Sequence, residues 1–308
     1  MKPRISFLGV GNMGGRMSRR LLNAGYTVTA FDPSHAAMAA VVDAGGRAAE
    51  SPLEAGRAAD VVICSLPTPA IVEEAVTGEN GAMHGLDAAA TVIDMSTGDP
   101  ATAIRVAAIL NARGINFLDA PVSRGVAGAT NGTLAIMVGG DAEVLESRQE
   151  ILSHLGTDII HVGPVGCGQM AKLCNNMMAA ITMQGLAETL VAGVKSGLDV
   201  EVLAKVIGAS SGGSWILSNY LPLTVLAGDD SAKFALDLMH KDVGLFLKAT
   251  EEMGLSTPLS AICVQTNRLA KVQGYGTRDY SAVISFFAKL ANVELVRRDR
   301  EDPALSNG

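Results

Sequence analysis

The sequence predicts two unlike domains: a doubly wound, mostly parallel α/β sheet domain over residues 1–164 and an all-α domain over 165–296, joined by a long helix. Three observations carry this reading. Short β-rich runs alternate with helical stretches up to about Gly163, a glycine-rich segment follows, and beyond it long stretches show only the apolar period of a helix. Residues 297–308 are expected to form a flexible tail.

The first apolar run, RISFL, leads into GVGNMGGRM at residues 9–17, where a helix can begin. YTVTAF, VVICSL, ATVIDM, NFLDA, LAIMV and DIIHV are the remaining strand candidates, rich in β-branched and aromatic residues. Strands separated by helical stretches form crossovers rather than hairpins, so their sheet is mostly parallel with helices on both faces. GPVGCGQ, residues 163–169, reads as a hinge. The apolar stretch MMAAITMQGLAETLVAGV, from Met177, has the composition of a membrane span, but Gln184 and Glu188 interrupt it; a buried helix is expected, and no membrane partner. The closing VRRDREDPALSNG is charged and broken by Pro303, with nothing to bury.

A chain of 308 residues with 48% hydrophobic and 18% charged residues can fill two cores. Aromatic residues make up only 4%, the formal net charge is −7, and no basic stripe appears, which argues against a nucleic-acid partner. Cys64, Cys167, Cys174 and Cys263 lack CxxC spacing and are expected to be small buried hydrophobes in a reducing cytoplasm. The histidines are scattered and no metal site is expected.

Gly9, Gly11 and Gly14 form G-x-G-x-x-G between a predicted strand and a predicted helix, with Asn12 and Met13 between the last two. The pattern assigns Gly9 to the tight turn, Gly11 to close approach of a pyrophosphate and Gly14 to helix–strand packing. The second strand ends at Asp32, about twenty residues on, where a carboxylate accepts hydrogen bonds from the adenosine ribose hydroxyls. A structural glycine turn with Asp32 as a mere turn residue is the competing reading. Asp32 would repel a 2′-phosphate and no Arg follows in DPSHAAM, so NAD is favoured over NADP.

In DAPVSRGVAGATNGTLAIMVGG, from Asp119 to Gly140, the residues Ser123, Arg124 and Gly125 follow a strand end. A hydroxyl, a guanidinium and a backbone N–H form a plausible anion cradle there, the alternative being a solvated surface loop. In GQMAKLCNNMM, Lys172 and Asn176 are i and i+4 and share a helix face, with Asn175 adjacent. An amine in an apolar helix at a domain hinge is placed to lose part of its proton affinity. A dimer or tetramer is expected, because the long apolar helix offers more surface than one small domain covers.

These stretches, with LMHKDVGL and in this order, resemble the β-hydroxyacid dehydrogenase family of the 3-hydroxyisobutyrate type over residues 4–292. The resemblance implies an N-terminal Rossmann domain, a C-terminal helical domain, and nicotinamide and substrate held in a cleft between them. It also implies roles: Lys172 as the catalytic lysine, Asn176 as the asparagine fixing the substrate hydroxyl and carboxylate, and Ser123 and Gly125 in the substrate-anion loop. Leu66, Pro67 and Thr97 match positions beside the cofactor, and Lys241 a lysine near the nicotinamide end, although Lys241 and Asp242 could also be a surface charge pair. Trp215 and Tyr220, in SSGGSWILSNY, match aromatics that close over substrate in the 3-hydroxyisobutyrate and serine branch; helix packing is the alternative for Trp215. Many members have Ser-Gly-Gly where this chain has Ser123-Arg124-Gly125, and related sulfolactaldehyde reductases use an Arg in this loop for a sulfonate. The expected activity is hydride transfer between NAD and a small anionic β-hydroxy acid or its semialdehyde. A sulfolactaldehyde, tartronate semialdehyde or glyoxylate reductase, or a non-catalytic dinucleotide-binding module, are the alternatives.

Overall fold

A computed structural model of the protein describes residues 2–57 and 59–295; the tail expected at 297–308 lies outside the described residues. The chain divides into two compact units, the first ending at Cys174 and the second beginning at Asn175.

The first unit holds the strands β1 (Ile5–Leu8), β2 (Val28–Phe31), β3 (Arg47–Ala48), β4 (Val61–Cys64), β5 (Thr91–Asp94), β6 (Asn116–Asp119), β7 (Val122–Ser123), β8 (Leu134–Gly140) and β9 (Gly156–Gly163). Helices α1 (Gly14–Asn23), α2 (His35–Asp43), α3 (Pro52–Gly56), α4 (Pro69–Thr77), α5 (Pro100–Asn111), α6 (Gly125–Asn131) and α7 (Ala142–Ser153) connect them. The sheet runs β3-β2-β1-β4-β5-β6-β8-β7, with β9 on β8. From β3 through β6 the pairings are parallel; β8 runs antiparallel to β6 and β7 but parallel to β9. Seven strands fall where the β-rich runs predict them. The two extra ones, β3 and β7, are two residues long, too short to show any period.

Alternation along the buried strands feeds both faces of this sheet. Ile5, Phe7, Val61 and Ile63 pack with Met17 and Leu21 on one side, while Leu8, Val62 and Cys64 pack with Val106 and Leu110 on the other. That two-sided burial is why the strands read as near-continuous apolar runs.

Helix α8 (Cys167–Lys195) starts in the first unit and continues into the second, followed by α9 (Val200–Gly208), α10 (Leu236–Glu252), α11 (Pro258–Ala270) and α12 (Ala282–Leu290). Met177, Met183 and Leu190 of α8 pack with Leu236, Val243, Val264 and Phe286 in a core of their own. The helix is long and apolar enough to cross a membrane by length and composition, and 39% of its most apolar window is buried within the chain. Met178 on its outward face is 64% exposed. The cysteine expectation needs correcting for the same reason. Cys64 and Cys263 are buried, but Cys167 is half-buried and Cys174 exposed, because Cys174 shares the outward face of α8 with Met178, one turn away.

Candidate active site

Phe31, Leu8, Cys64, Asp94 and Asp119 are paired neighbours across β2, β1, β4, β5 and β6, so five strands end on one line. The backbone ladder extends one step past it: Gly9 N–H donates to Phe31 O, Ser65 N–H to Leu8 O and Met95 N–H to Cys64 O, each at 2.9 Å. Immediately beyond lie Gly9–Gly14, Asp32, Leu66 with Pro67, and Thr97. β2 and β4 flank β1, and the build order of the sheet reverses there, which is where open α/β sheets leave a ligand crevice.

The three glycines of the loop do different work. Gly9 has φ +85°, and a Cβ on it would stand 2.4 Å from Ser65 O; a Cβ on Gly14 would stand 1.9 Å from Gly9 O. Both are demanded by the protein's own packing. A Cβ on Gly11 would meet nothing within 4 Å, so its bareness serves no internal contact and leaves room for a group brought in from outside. The N terminus of α1 faces the same loop, with Met13 at the N-cap supplying no side-chain hydrogen bond, an arrangement suited to a phosphate. Asn12 turns its carbonyl to Arg16 Nη1 at 2.6 Å. Asp32 holds the loop from the other side: Oδ2 accepts from Val10 N–H at 2.9 Å and Oδ1 from Ser34 N–H at 2.8 Å. Each carboxylate oxygen keeps a second acceptor site for a ribose hydroxyl. These residues fit a dinucleotide. Across β1, Leu66 N–H donates to Ser96 Oγ at 2.8 Å, which ties the loop after β4 to the Thr97 loop after β5.

Ser123 ends β7, and Arg124 and Gly125 open α6 with φ +79° and +56°. The left-handed conformation costs a non-glycine residue roughly 1–2 kcal/mol, so Arg124 needs compensating contacts. Its Nη1 lies 2.6 Å from Asp158 Oδ2, and donates to Thr133 O at 2.9 Å and Thr157 Oγ1 at 3.1 Å. The guanidinium thus anchors the loop to β9 and to the residue just before β8, and its pairing holds the Asp158 carboxyl below its ordinary range. A Cβ on Gly125 would meet nothing within 4 Å.

Lys172 is 8% exposed and stands one helical turn before Asn176, which is 5% exposed. Two groups that sequence reasoning passed over fasten the start of this helix. Asp119 Oδ1 accepts from Gly166 N–H at 2.9 Å and Oδ2 from Gln169 N–H at 2.8 Å. Burial pushes the Asp119 carboxyl up to about 6, against the pull of the backbone donors. The Gln169 amide bonds the loop after β5.

In the second unit, Asn176 Nδ2 donates to Asp242 Oδ2 at 2.6 Å, and its Oδ1 accepts from Asn175 Nδ2 at 3.1 Å. The amide orientation is therefore set, with one N–H still to give. Asp242 is 2% exposed and its Oδ1 lies 3.1 Å from Lys241 Nζ. Lys241 and Asp242 do pair, but the carboxylate is buried and also receives the Asn176 amide, so the pair is not a surface one. Trp215 is 68% exposed, which removes the core-packing alternative for it. Its ring centroid is 6.5 Å from that of Tyr220, which lies 5.1 Å from Tyr280. The Tyr220 hydroxyl donates to buried Asp279 at 2.7 Å, and burial together with that carboxylate holds the phenol well above its ordinary pKa.

Comparison with known proteins follows these two halves. Residues 4–163 match the family described as the NAD binding domain of 6-phosphogluconate dehydrogenase, and residues 166–287 the family described as NAD-binding of NADP-dependent 3-hydroxyisobutyrate dehydrogenase. The 2-(hydroxymethyl)glutarate dehydrogenase of Eubacterium barkeri is 39% identical over 95% of this chain and 97% of its own. The NAD-dependent L-serine dehydrogenase of Pseudomonas aeruginosa is 41% identical over 92% and 97%. The solved structure of Mycobacterium tuberculosis 3-hydroxyisobutyrate dehydrogenase with L-serine superposes with a TM-score of 0.87 at 36% identity, covering 93% of this chain and 99% of that one.

Proposed function

The chain belongs to the β-hydroxyacid dehydrogenase family and is an NAD-dependent oxidoreductase of hydroxy acids; on that premise we propose that it oxidises a 3-hydroxyisobutyrate-like β-hydroxy acid to its semialdehyde. The relatives' names carry a chemical pattern. 3-Hydroxyisobutyrate, L-serine and 2-(hydroxymethyl)glutarate are all 3-hydroxypropionates, substituted at C2 by a methyl, an ammonium or a carboxyethyl group. A primary alcohol β to a carboxylate is the shared element, and the three differ in the C2 substituent.

The observation that carries the reading is the pair of buried polar groups one turn apart on α8, Lys172 and Asn176, with the Asn176 amide already oriented by Asp242. Lys172 Nζ takes the proton of the substrate hydroxyl as the carbinol C–H is oxidised, and in the reverse direction returns it to the nascent alkoxide. Asn176 gives its remaining N–H to the same oxygen. Ser123 Oγ and the Gly125 N–H receive the carboxylate, and Asn175 steadies the Asn176 amide. Lys241 supports Asp242 and the nicotinamide end, and exposed Trp215, backed by Tyr220, covers the C2 substituent. NAD, when bound, supplies the hydride acceptor at its C4; the glycine loop, Asp32, Leu66, Pro67 and Thr97 hold it. Proton transfer of this kind contributes about two to four powers of ten in rate.

Arg124 distinguishes the carboxylate reading from a sulfonate one. Its guanidinium is engaged by Asp158, Thr157 and Thr133, which supports a loop-anchoring role over recognition of a second acidic group. The test is the initial rate of NAD and NADP reduction with 3-hydroxyisobutyrate, 3-hydroxypropionate, L-serine, glycerate and dihydroxypropanesulfonate. A C2-substituted carboxylate is expected to win with NAD. Preference for the sulfonate would make Arg124 the specificity residue and overturn the assignment.

The partly covered apolar face of α8 and exposed Val202, Val206 and Ile262 support a homodimer or homotetramer, measurable by light scattering. Four free thiols suit a reducing compartment such as the cytoplasm.

A further inference from the structure

Lys172 is only three residues beyond Gln169, and Gln169 is the most heavily bonded side chain in the first turn of α8. Its Oε1 accepts from Gly98 N–H at 2.8 Å, and its Nε2 donates to Ser96 O at 3.0 Å and lies 3.4 Å from Asp94 Oδ2. Gln169 is fully buried, and so is Asp119, which receives the Gln169 and Gly166 N–H groups. The partners of the Gln169 amide flank Thr97. Ser96 in turn accepts from Leu66 N–H through its Oγ and donates its own N–H to Asp94 Oδ1 at 3.0 Å. One buried amide therefore joins the turn that presents Lys172 to the loop after β5, and Ser96 of that loop carries the link on to the loop after β4. Packing leaves the turn no slack, because a Cβ on Gly168 would stand 2.3 Å from Asp119 O and one on Gly139 2.4 Å from Asp119 Oδ1.

We infer that Gln169 is a positioning residue for Lys172, locking the first turn of α8 to the loops that carry Leu66 and Thr97 so that the lysine keeps a fixed register with the bound nicotinamide. This rests on Lys172 being the acid–base group. An amide suits the task because the site asks for an acceptor toward Gly98 N–H and a donor toward Ser96 O at once, which a carboxylate meets only when protonated. The lock acts on alignment, so its loss belongs in kcat rather than in cofactor affinity, and misplacement of a reacting group by about 1 Å costs on the order of 100-fold.

The experiment compares Gln169→Leu, Gln169→Glu and Lys172→Ala with the parent enzyme, reading NAD affinity by fluorescence titration and kcat and KM at saturating NAD. Gln169→Leu is expected to lower kcat about 10- to 100-fold while NAD affinity and KM for the hydroxy acid stay within about threefold. For Gln169→Glu, kcat relative to the parent enzyme should rise as pH is lowered from about 9 to about 6, because the protonated side chain regains the donor to Ser96 O. Parental kcat in folded Gln169→Leu, or a loss confined to KM or NAD affinity, overturns the inference. Where Gln169→Leu fails to fold, a pH-independent ratio for Gln169→Glu overturns it. Retained turnover in Lys172→Ala would instead bring down the acid–base reading on which the inference stands.

Discussion

The two units build their candidate functional groups by opposite means. In the first unit the backbone carries the candidate site: five strands end in register, and a Cβ would collide at Gly9 and Gly14 but meet nothing at Gly11. In the second unit the candidate groups are side chains held by carboxylates, buried Asn176 by Asp242 and half-buried Tyr220 by Asp279. The first kind of site is broken by adding atoms, and the second by removing an acceptor.

The sharpest way to break this contrast lies within the glycine loop. Gly14→Val forces a side chain onto Gly9 O and should destabilise the first unit by about 3 kcal/mol or more, seen as a large drop in Tm. Next in size, Asp242→Leu, which removes the acceptor, should lower kcat about 100-fold by freeing the Asn176 amide, with NAD affinity little changed; an unaltered kcat in the folded variant would mean that Asp242 serves packing alone. Gly11→Val, by contrast with Gly14→Val, should leave Tm near the parental value and weaken NAD binding about tenfold or more, roughly 1.4 kcal/mol. A large Tm loss at Gly11 would erase the distinction between packing glycine and ligand glycine. Smallest, Asp32→Ala should reduce the preference for NAD over NADP about tenfold and loosen the loop that Val10 N–H anchors; an unchanged cofactor ratio would show that Asp32 acts only on the loop.

The same contrast explains what the sequence could reveal. Backbone-built features follow local rules, so G-x-G-x-x-G, the strand ending at Asp32 and the i, i+4 relation of Lys172 and Asn176 were all legible from a few neighbouring residues. The strands β3 and β7 were not, since two residues carry no period. Asp119 and Gln169 stayed hidden because their bonds join residues 47 to 75 positions apart in the chain, and no local pattern marks an aspartate at a strand end as the cap of a distant helix. Asp242 looked like half of a surface pair because its Asn176 partner is 66 residues away. The pairing of Arg124 with Asp158 stayed hidden too, since the two lie on different elements of the fold. Cys174 shows the limit of composition: an apolar helix buries one side, and hydropathy alone does not tell which residues occupy it.

The central claim is that Lys172 moves the proton in an NAD-dependent oxidation, and the most direct measurement is steady-state turnover of Lys172→Ala set beside its NAD dissociation constant. The account predicts a kcat lower by about two to four powers of ten with NAD affinity within about threefold of the parent enzyme. Equal losses in turnover and NAD affinity, or turnover that survives the substitution, would contradict it.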